Sequence, residues 1–282
     1  MAHELRPMGI GEIFDVAFRL YRSRFATFLL IALMVYVPYA LIVSVTNYAT
    51  LKEFYDRQAQ FEQMTQEEIQ QWLAEAPEGP APANRVVGYV VGNLGIALFA
   101  LIVFPLCTGA MVQNISAGYL GEELGAAESY RLAAPRLLSL LLANFLSTLL
   151  MFVGFLLCVV PGIIVTIWFL LISATVVLER ARPIRALERS RDLMKGNLSK
   201  GFSLVFLVSL LSGVIYFGLG FCLALVPWPH VVLGLFFEEV IGAVILPIQT
   251  AVPVLLYYDL RIRKEAFDLE RLAADFGALG ET

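Results

Sequence analysis

Residues 25–45, 86–108, 137–160 and 202–226 run without a single charged side chain, and runs of that length have few structural outlets. An α-helix rises about 1.5 Å per residue, so about 20 apolar residues cross the roughly 30 Å of bilayer hydrocarbon. Two further runs are less plain. Residues 163–178 follow Pro161-Gly162 directly, and together with the run before them they are too long for one span. Pro-Gly is a turn signal, which predicts a tight hairpin there. The last run, 231–258, is interrupted by Glu238-Glu239, but residues 240–258 alone are long enough to cross, leaving both glutamates at the far edge of the hydrocarbon.

The chain therefore reads as one all-α membrane domain with six spans, near 25–45, 86–108, 137–160, 163–178, 202–226 and 240–258. Composition agrees: 59% of residues are hydrophobic and 16% charged, against about 25% charged in soluble domains. Cys107, Cys158 and Cys222 each lie inside an apolar run, which suits small buried hydrophobes better than a disulfide or metal framework.

Lys and Arg fix the expected orientation. Residues 1–24, 119–136, 179–201 and 259–282 hold seventeen, and the opposite loops hold three (Lys52, Arg57 and Arg85). Both termini are thus expected in the cytoplasm, the tail 259–282 included, with the loop 48–85 outside. The setting expected is a plasma membrane, the bacterial inner membrane. The first run is too long for a cleavable signal, follows a charged 24-residue segment and lacks a small-residue cleavage site.

The outer loop is rich in Glu and Gln and spaces Phe54, Phe61, Met64, Ile69 and Trp72 helically before the proline-rich stretch 76–82. One or two short helices and an extended linker are expected, as a solvated connection or a docking cap. On the inner side, Ile10, Ile13, Phe14, Ala17, Phe18 and Tyr21 recur at helical spacing opposite Glu12, Asp15, Arg19 and Arg22. Such a segment is expected to lie flat in the headgroup layer, apolar side down. Pro183–Lys200 repeats the pattern with Ile184, Leu187, Met194 and Leu198 on one side, and Gly125–Arg136 repeats it more weakly. Three units follow, each an inner amphipathic segment and a helical hairpin.

Few side chains carry candidate chemistry. Glu238 and Glu239 sit beside hydrocarbon, where carboxylates are costly and face protein, water or an ion path. A helix-start boundary is the plain reading, and an ion or substrate gate the sharper one. In the last span Pro247 and Pro253 bracket Gln249 and Thr250. Two prolines can unwind a helix and free carbonyls for a bound solute, or merely kink it. Asn93, Asn144, Ser147 and Thr148 would line a polar path or bond between helices, and Gly88 and Gly92 permit close helix approach, within the chain rather than between copies.

Residues 179–201 hold seven basic side chains against Glu179, Glu188 and Asp192. Arg182, Arg185, Arg189, Arg191 and Lys195 are candidates for contact with anionic lipid, although orientation signalling accounts for most of this charge. A segment so short and so close to the membrane is a poor nucleic-acid site. His3 and His230 have no partner in sequence, and no catalytic, metal or cofactor residues are expected.

Several stretches look familiar: Leu5-Arg6-Pro7-Met8-Gly9-Ile10-Gly11-Glu12-Ile13-Phe14-Asp15 with Phe18-Arg19-Leu20-Tyr21-Arg22, then Val160-Pro161-Gly162-Ile163, then Ala186-Leu187-Glu188-Arg189-Ser190 with Met194-Lys195-Gly196-Asn197. Tyr257-Tyr258-Asp259-Leu260-Arg261-Ile262-Arg263-Lys264 and Phe267-Asp268-Leu269-Glu270 continue the pattern. Together they resemble the membrane domain of the glycerophosphoryl diester phosphodiesterase family. The resemblance implies a stand-alone membrane module, since the barrel of the enzyme domain needs at least about 200 residues and the longest loop here is 48–85.

The expected role is a non-catalytic scaffold or accessory protein that organises lipid or a membrane-protein partner at the inner leaflet. The alternative is a transporter or channel using a broken sixth helix and Glu238-Glu239. An intramembrane enzyme is disfavoured, because the spans hold no His or Asp and their serines have no evident base.

Overall fold

The computed structural model describes residues 7–65, 68–69, 83–226 and 231–279. The proline-rich stretch 76–82, Trp72, His3 and residues 227–230 with His230 lie outside them, as do the side chains of Phe54, Phe61 and 267–270. Regular structure among the described residues is entirely helical. α1 (Ile10–Ser23) leads into α2 (Phe25–Gln63), and α3 (Ala83–Leu120) returns. α4 (Ala126–Ala133) and a 3-10 turn (Ala134–Arg136) precede α5 (Leu137–Leu157), answered by α6 (Val159–Trp168) and α7 (Ile172–Leu178). α8 (Pro183–Met194) precedes α9 (Leu198–Ala224) and the final α10 (Val231–Leu279).

Six helical stretches are long and apolar enough to cross a membrane: Phe25–Tyr48, Val87–Leu120, Ala126–Leu157, Val159–Leu178, Leu198–Ala224 and Phe236–Glu265. The protein is an all-α polytopic membrane protein. Its spans pair as three hairpins, α2 with α3, α5 with α6 and α9 with α10, each led by a short helix with one buried face. The outward surface is apolar, as at Leu157 and Phe217, 76% and 77% exposed, which suits hydrocarbon as the surrounding solvent.

The last span is the central one. In its most apolar stretch 67% of residues are buried inside the protein, against 11% to 39% in the other spans. It packs on α2, α9, α1, α3, α8 and α7. The approach to α2 is close at Gly242, where a Cβ would stand 2.4 Å from Cε1 of the Tyr36 ring. That ring is held edge-on against Phe104 at 5.2 Å and has little room to retreat.

The structure corrects several expectations. The turn between the third and fourth spans is at Cys158, extended at φ −174° and ψ 160°, and Pro161-Gly162 lies inside the first turn of α6. Proline is tolerated there because first-turn N–H groups have no helical partner anyway. Gly162 serves packing instead: a Cβ on it would stand 2.5 Å from the Phe155 ring. α10 is not broken, since Pro247 and Pro253 both lie within one continuous helix. The outer loop shrinks because α2 continues as helix to Gln63.

α1 does not rest its apolar side on lipid. Ile13, Val16, Ala17 and Leu20 are buried in the same core as Val252 and Leu256 of α10. In α8, Ile184 points away from Leu187 and Met194 and is 63% exposed, and the buried face is Ala186, Leu187, Ser190, Leu193 and Met194. Of the cysteines only Cys107 is buried; Cys158 and Cys222 are exposed.

Gly92 accounts for the glycine pair within the chain: a Cβ there would meet Thr46 Cγ2 at 2.7 Å, whereas among the described residues nothing lies within 4 Å of one at Gly88. Overpacking costs about 1–3 kcal/mol. Gly242→Leu should therefore lower stability by that amount in detergent-induced unfolding of the purified protein, and Gly88→Leu should change it by less than about 0.5 kcal/mol. Equal behaviour of the two variants would contradict the packing described.

Candidate functional site

Polar order concentrates at the end of the bundle where α1 begins and α10 leaves its apolar stretch. Asp259 is fully buried there. Its Oδ1 accepts from the Met8 backbone N–H at 2.6 Å and its Oδ2 from Lys200 Nζ at 2.5 Å, while Arg263 Nε reaches the same carboxylate at 3.0 Å. The Met8 carbonyl in turn accepts from Lys200 Nζ at 2.7 Å and Arg263 Nη2 at 3.0 Å. One carboxylate thus joins the segment before α1, the first turn of α9 and the end of the central span. Glu12, at the third helical position, accepts from the Gly9 N–H at 2.7 Å and so satisfies the N-cap backbone donor where α1 starts beside this knot.

A second network closes into a ring. Arg189 of α8 donates from Nε to Glu179 at 3.0 Å and from Nη2 to Glu265 at 2.6 Å. Glu265 accepts from Arg261 Nε at 2.7 Å, Arg261 donates from Nη1 to the Tyr257 hydroxyl at 3.1 Å, and Tyr257 donates to Glu179 at 2.9 Å. Burial acts to lower the Arg189 guanidinium, but its bonds to Glu179 and Glu265 prevail and hold it above its usual range. Glu179 is set by the turn after α7, where Arg180 takes a left-handed φ of 55°. Beside the ring, Ser190 Oγ donates to the Trp168 carbonyl at 2.7 Å and accepts from the Leu171 N–H at 3.2 Å, satisfying the break between α6 and α7. Lys264 closes the end of α8 by donating to the carbonyls of Asp192 and Lys195.

The five basic candidates of this end separate. Arg189 is committed to the ring, and Arg191 lies over the Trp168 face at 4.8 Å. Arg182, Arg185 and Lys195 are exposed. At the other end of α10, Glu238 is exposed and Glu239 half-buried, within electrostatic reach of Tyr36 and Tyr39 of α2 and Tyr216 of α9. Gln249 and Thr250 lie between the two ends, so the structure does not bring the four together. Gln249 Nε2 donates to Ser212 Oγ across to α9 at 3.1 Å, and Thr250 Oγ1 donates to the Leu246 carbonyl of its own helix at 2.9 Å. Asn93 and Ser147 likewise bond within their own helices, to Tyr89 and Asn144.

Asp259, Lys200, Glu179, Tyr257 and Glu265 were not singled out from the sequence as site residues. The available signal was the pair of helical spacings Asp259–Arg263 and Arg261–Glu265 at the edge of an apolar run. Among the described residues no group of three or more His, Cys, Asp or Glu side chains could hold a metal ion.

Removing one partner of a buried ion pair leaves the other uncompensated, at a cost of about 3–5 kcal/mol. Asp259→Asn should destabilise the protein on that scale, and adding Lys200→Met should recover part of the loss, as read by a double-mutant cycle of unfolding. Arg263→Gln, removing a half-exposed partner, should cost less than about 1 kcal/mol.

No curated protein and no solved structure matches the chain. Residues 10–246, which take in α1 through the first third of α10, match the sequence profile of an uncharacterised protein family, UPF0259. The chain belongs to that family.

Proposed function

We propose that the protein is a non-catalytic membrane scaffold or accessory protein that gathers anionic lipid, and through it a membrane-protein partner, at the inner leaflet of the bacterial inner membrane. The observation that carries this reading is the division of α8 into two faces. One face is locked into the bundle through Ala186, Leu187, Ser190, Leu193 and Met194. The other presents Arg182 and Arg185 beside the exposed apolar side chain of Ile184 and Lys195 at the far end of the helix, with Glu188 and Asp192 exposed between them. Basic groups around an outward apolar residue suit the boundary between anionic headgroups and acyl chains.

The distribution of Lys and Arg, seventeen to three, supports an orientation with the charged end and both termini in the cytoplasm. The likeness of the interfacial motifs to the glycerophosphoryl diester phosphodiesterase membrane domain supports a membrane module working beside another protein. The bonds of Asp259, Glu179 and Arg189 to their neighbours support a structural task for the charged end.

In nanodiscs of mixed phosphatidylglycerol and phosphatidylcholine, the lipid co-purifying with the protein should be enriched in the anionic species. The combined change Arg182→Gln, Arg185→Gln and Lys195→Gln should cut that enrichment roughly three-fold or more. Unchanged enrichment in the variant would overturn the lipid reading. Turnover of a glycerophosphodiester by the purified protein alone would overturn the non-catalytic one.

A further inference from the structure

A cavity of about 1200 Å³ opens at the charged end between α1, the start of α2 and the turn joining α3 to α4. Its charged lining is mixed: Arg19 and Arg24 against Glu12, Asp15 and Glu123. Its frame is well fixed. Arg24 donates to the Glu122 carbonyl and packs against Gly118, where an added Cβ would stand 3.0 Å from Arg24 Nε. The turn below it is pinned by Asn114, whose Nδ2 donates to the Leu124 carbonyl at 2.8 Å and to Ser129 Oγ at 2.9 Å. Gly121 bends that turn at φ 84°, and the Glu122 N–H donates to the Ala117 carbonyl at 2.8 Å.

The contrast with the neighbouring networks is chemical. Asp259, Glu179 and Arg189 are consumed by one another's helices, whereas Asp15, Arg19 and Glu123 make no hydrogen bond or ion pair among the described residues. A fixed cavity whose uncommitted charges have both signs complements a ligand that carries both signs.

Depth indicates the source of such a ligand. Arg24 directly precedes Phe25, where the first span begins, and Glu123 follows Leu120, where the second ends. Phe25 and Leu120 are both exposed. Charged lining beside outward apolar side chains fits a molecule with a polar head and acyl chains better than a soluble zwitterion.

We propose that this cavity binds the headgroup of a phospholipid bearing a primary ammonium, of the phosphoethanolamine class, with its phosphate at Arg19 and Arg24 and its ammonium at Asp15 and Glu123. Guanidinium groups recognise phosphate through paired N–H donors. A primary ammonium carries three donors for carboxylates, whereas a quaternary ammonium carries none and is recognised by aromatic cages. Two cationic side chains against three anionic ones also oppose a purely anionic head. The volume exceeds the roughly 300–1,000 Å³ typical of a small-ligand pocket and leaves room for the glycerol and its water. The site is separate from the exposed face of α8 and does not depend on the lipid role assigned to it.

The test is native mass spectrometry of the full chain released from vesicles of equal phosphatidylethanolamine, phosphatidylcholine and phosphatidylglycerol. One phosphatidylethanolamine should stay bound per chain, at least about five-fold over phosphatidylcholine in the full chain and over both competitors in the α8 triple variant, which lacks the anionic-lipid face. Asp15→Asn with Glu123→Gln should abolish its advantage over phosphatidylcholine, and Arg19→Gln should lower retention of both. These side chains are exposed, so unchanged thermal melts should accompany the loss, and the α8 triple variant should retain phosphatidylethanolamine normally. Retention of the three lipids in equal amounts, or an unchanged preference in the Asp15/Glu123 variant, would overturn the proposal. Displacement of the lipid by soluble glycerophosphoethanolamine at equal concentration would overturn the lipid assignment in favour of a free zwitterion.

Discussion

A carboxylate with no exposed surface must find its hydration replaced, and around Asp259 three donors do so: a backbone N–H, an ammonium and a guanidinium. The arrangement is demanding because each donor belongs to a different part of the chain. Met8 fixes where α1 begins, Lys200 fixes the first turn of α9, and Arg263 lies one turn along α10 itself. The rest of the charged end depends on this placement. With Met8 held at Asp259, α1 starts against the bundle, so Ile13, Ala17 and Leu20 have a protein surface to cover. That is the physical reason an amphipathic segment that could rest on lipid packs on helices instead.

Lipid surrounds the rest of the molecule, and hydrocarbon offers no hydrophobic drive for one apolar helix to meet another. Close packing and a few interhelical bonds must then set the contacts. Gly242 against Tyr36, Gln249 to Ser212 and Ser116 to Tyr258 at 2.6 Å supply them along the central helix. Tyr21 adds a bond from α1 to the Val244 carbonyl at 3.1 Å, in the turn that Pro247 perturbs, and burial holds its hydroxyl above the usual range. α10 keeps both prolines within one continuous helix, held along this length by packing on its neighbours.

The six spans were legible in the sequence because bilayer thickness imposes a length that composition alone reveals. The three leading helices were legible for a similar reason, through their 3.6-residue period. Period does not say what a face will meet: it groups Ile184 with Leu187 and Met194 although Ile184 is exposed, and it does not separate an α1 resting on lipid from one buried against helices. The hairpin turn lies three residues before Pro161-Gly162, a pair that reads as a turn wherever it stands but serves here through first-turn tolerance and close packing on Phe155. Least legible were Asp259 and Lys200. Both mark the ends of apolar runs, and only the fold shows that two run ends 59 residues apart share one carboxylate.

Charge at this end of the protein thus falls into two populations that a sequence count cannot separate. Asp259, Lys200, Glu179, Arg189, Arg261 and Glu265 neutralise one another across α7, α8, α9 and α10, and a bond in such a network is stiff and directional. Arg182, Arg185 and Lys195 on one flank face outward, and Arg19 with Asp15 lines a cavity on the other. The paired population holds helices whose apolar faces are buried in the bundle, and so it fixes where the second population points. If the second population meets headgroups, the first serves as the rigid mount that presents it. Rigidity matters for such a task because lipid contacts are individually weak, and selectivity among headgroups requires several of them to act from fixed positions at once.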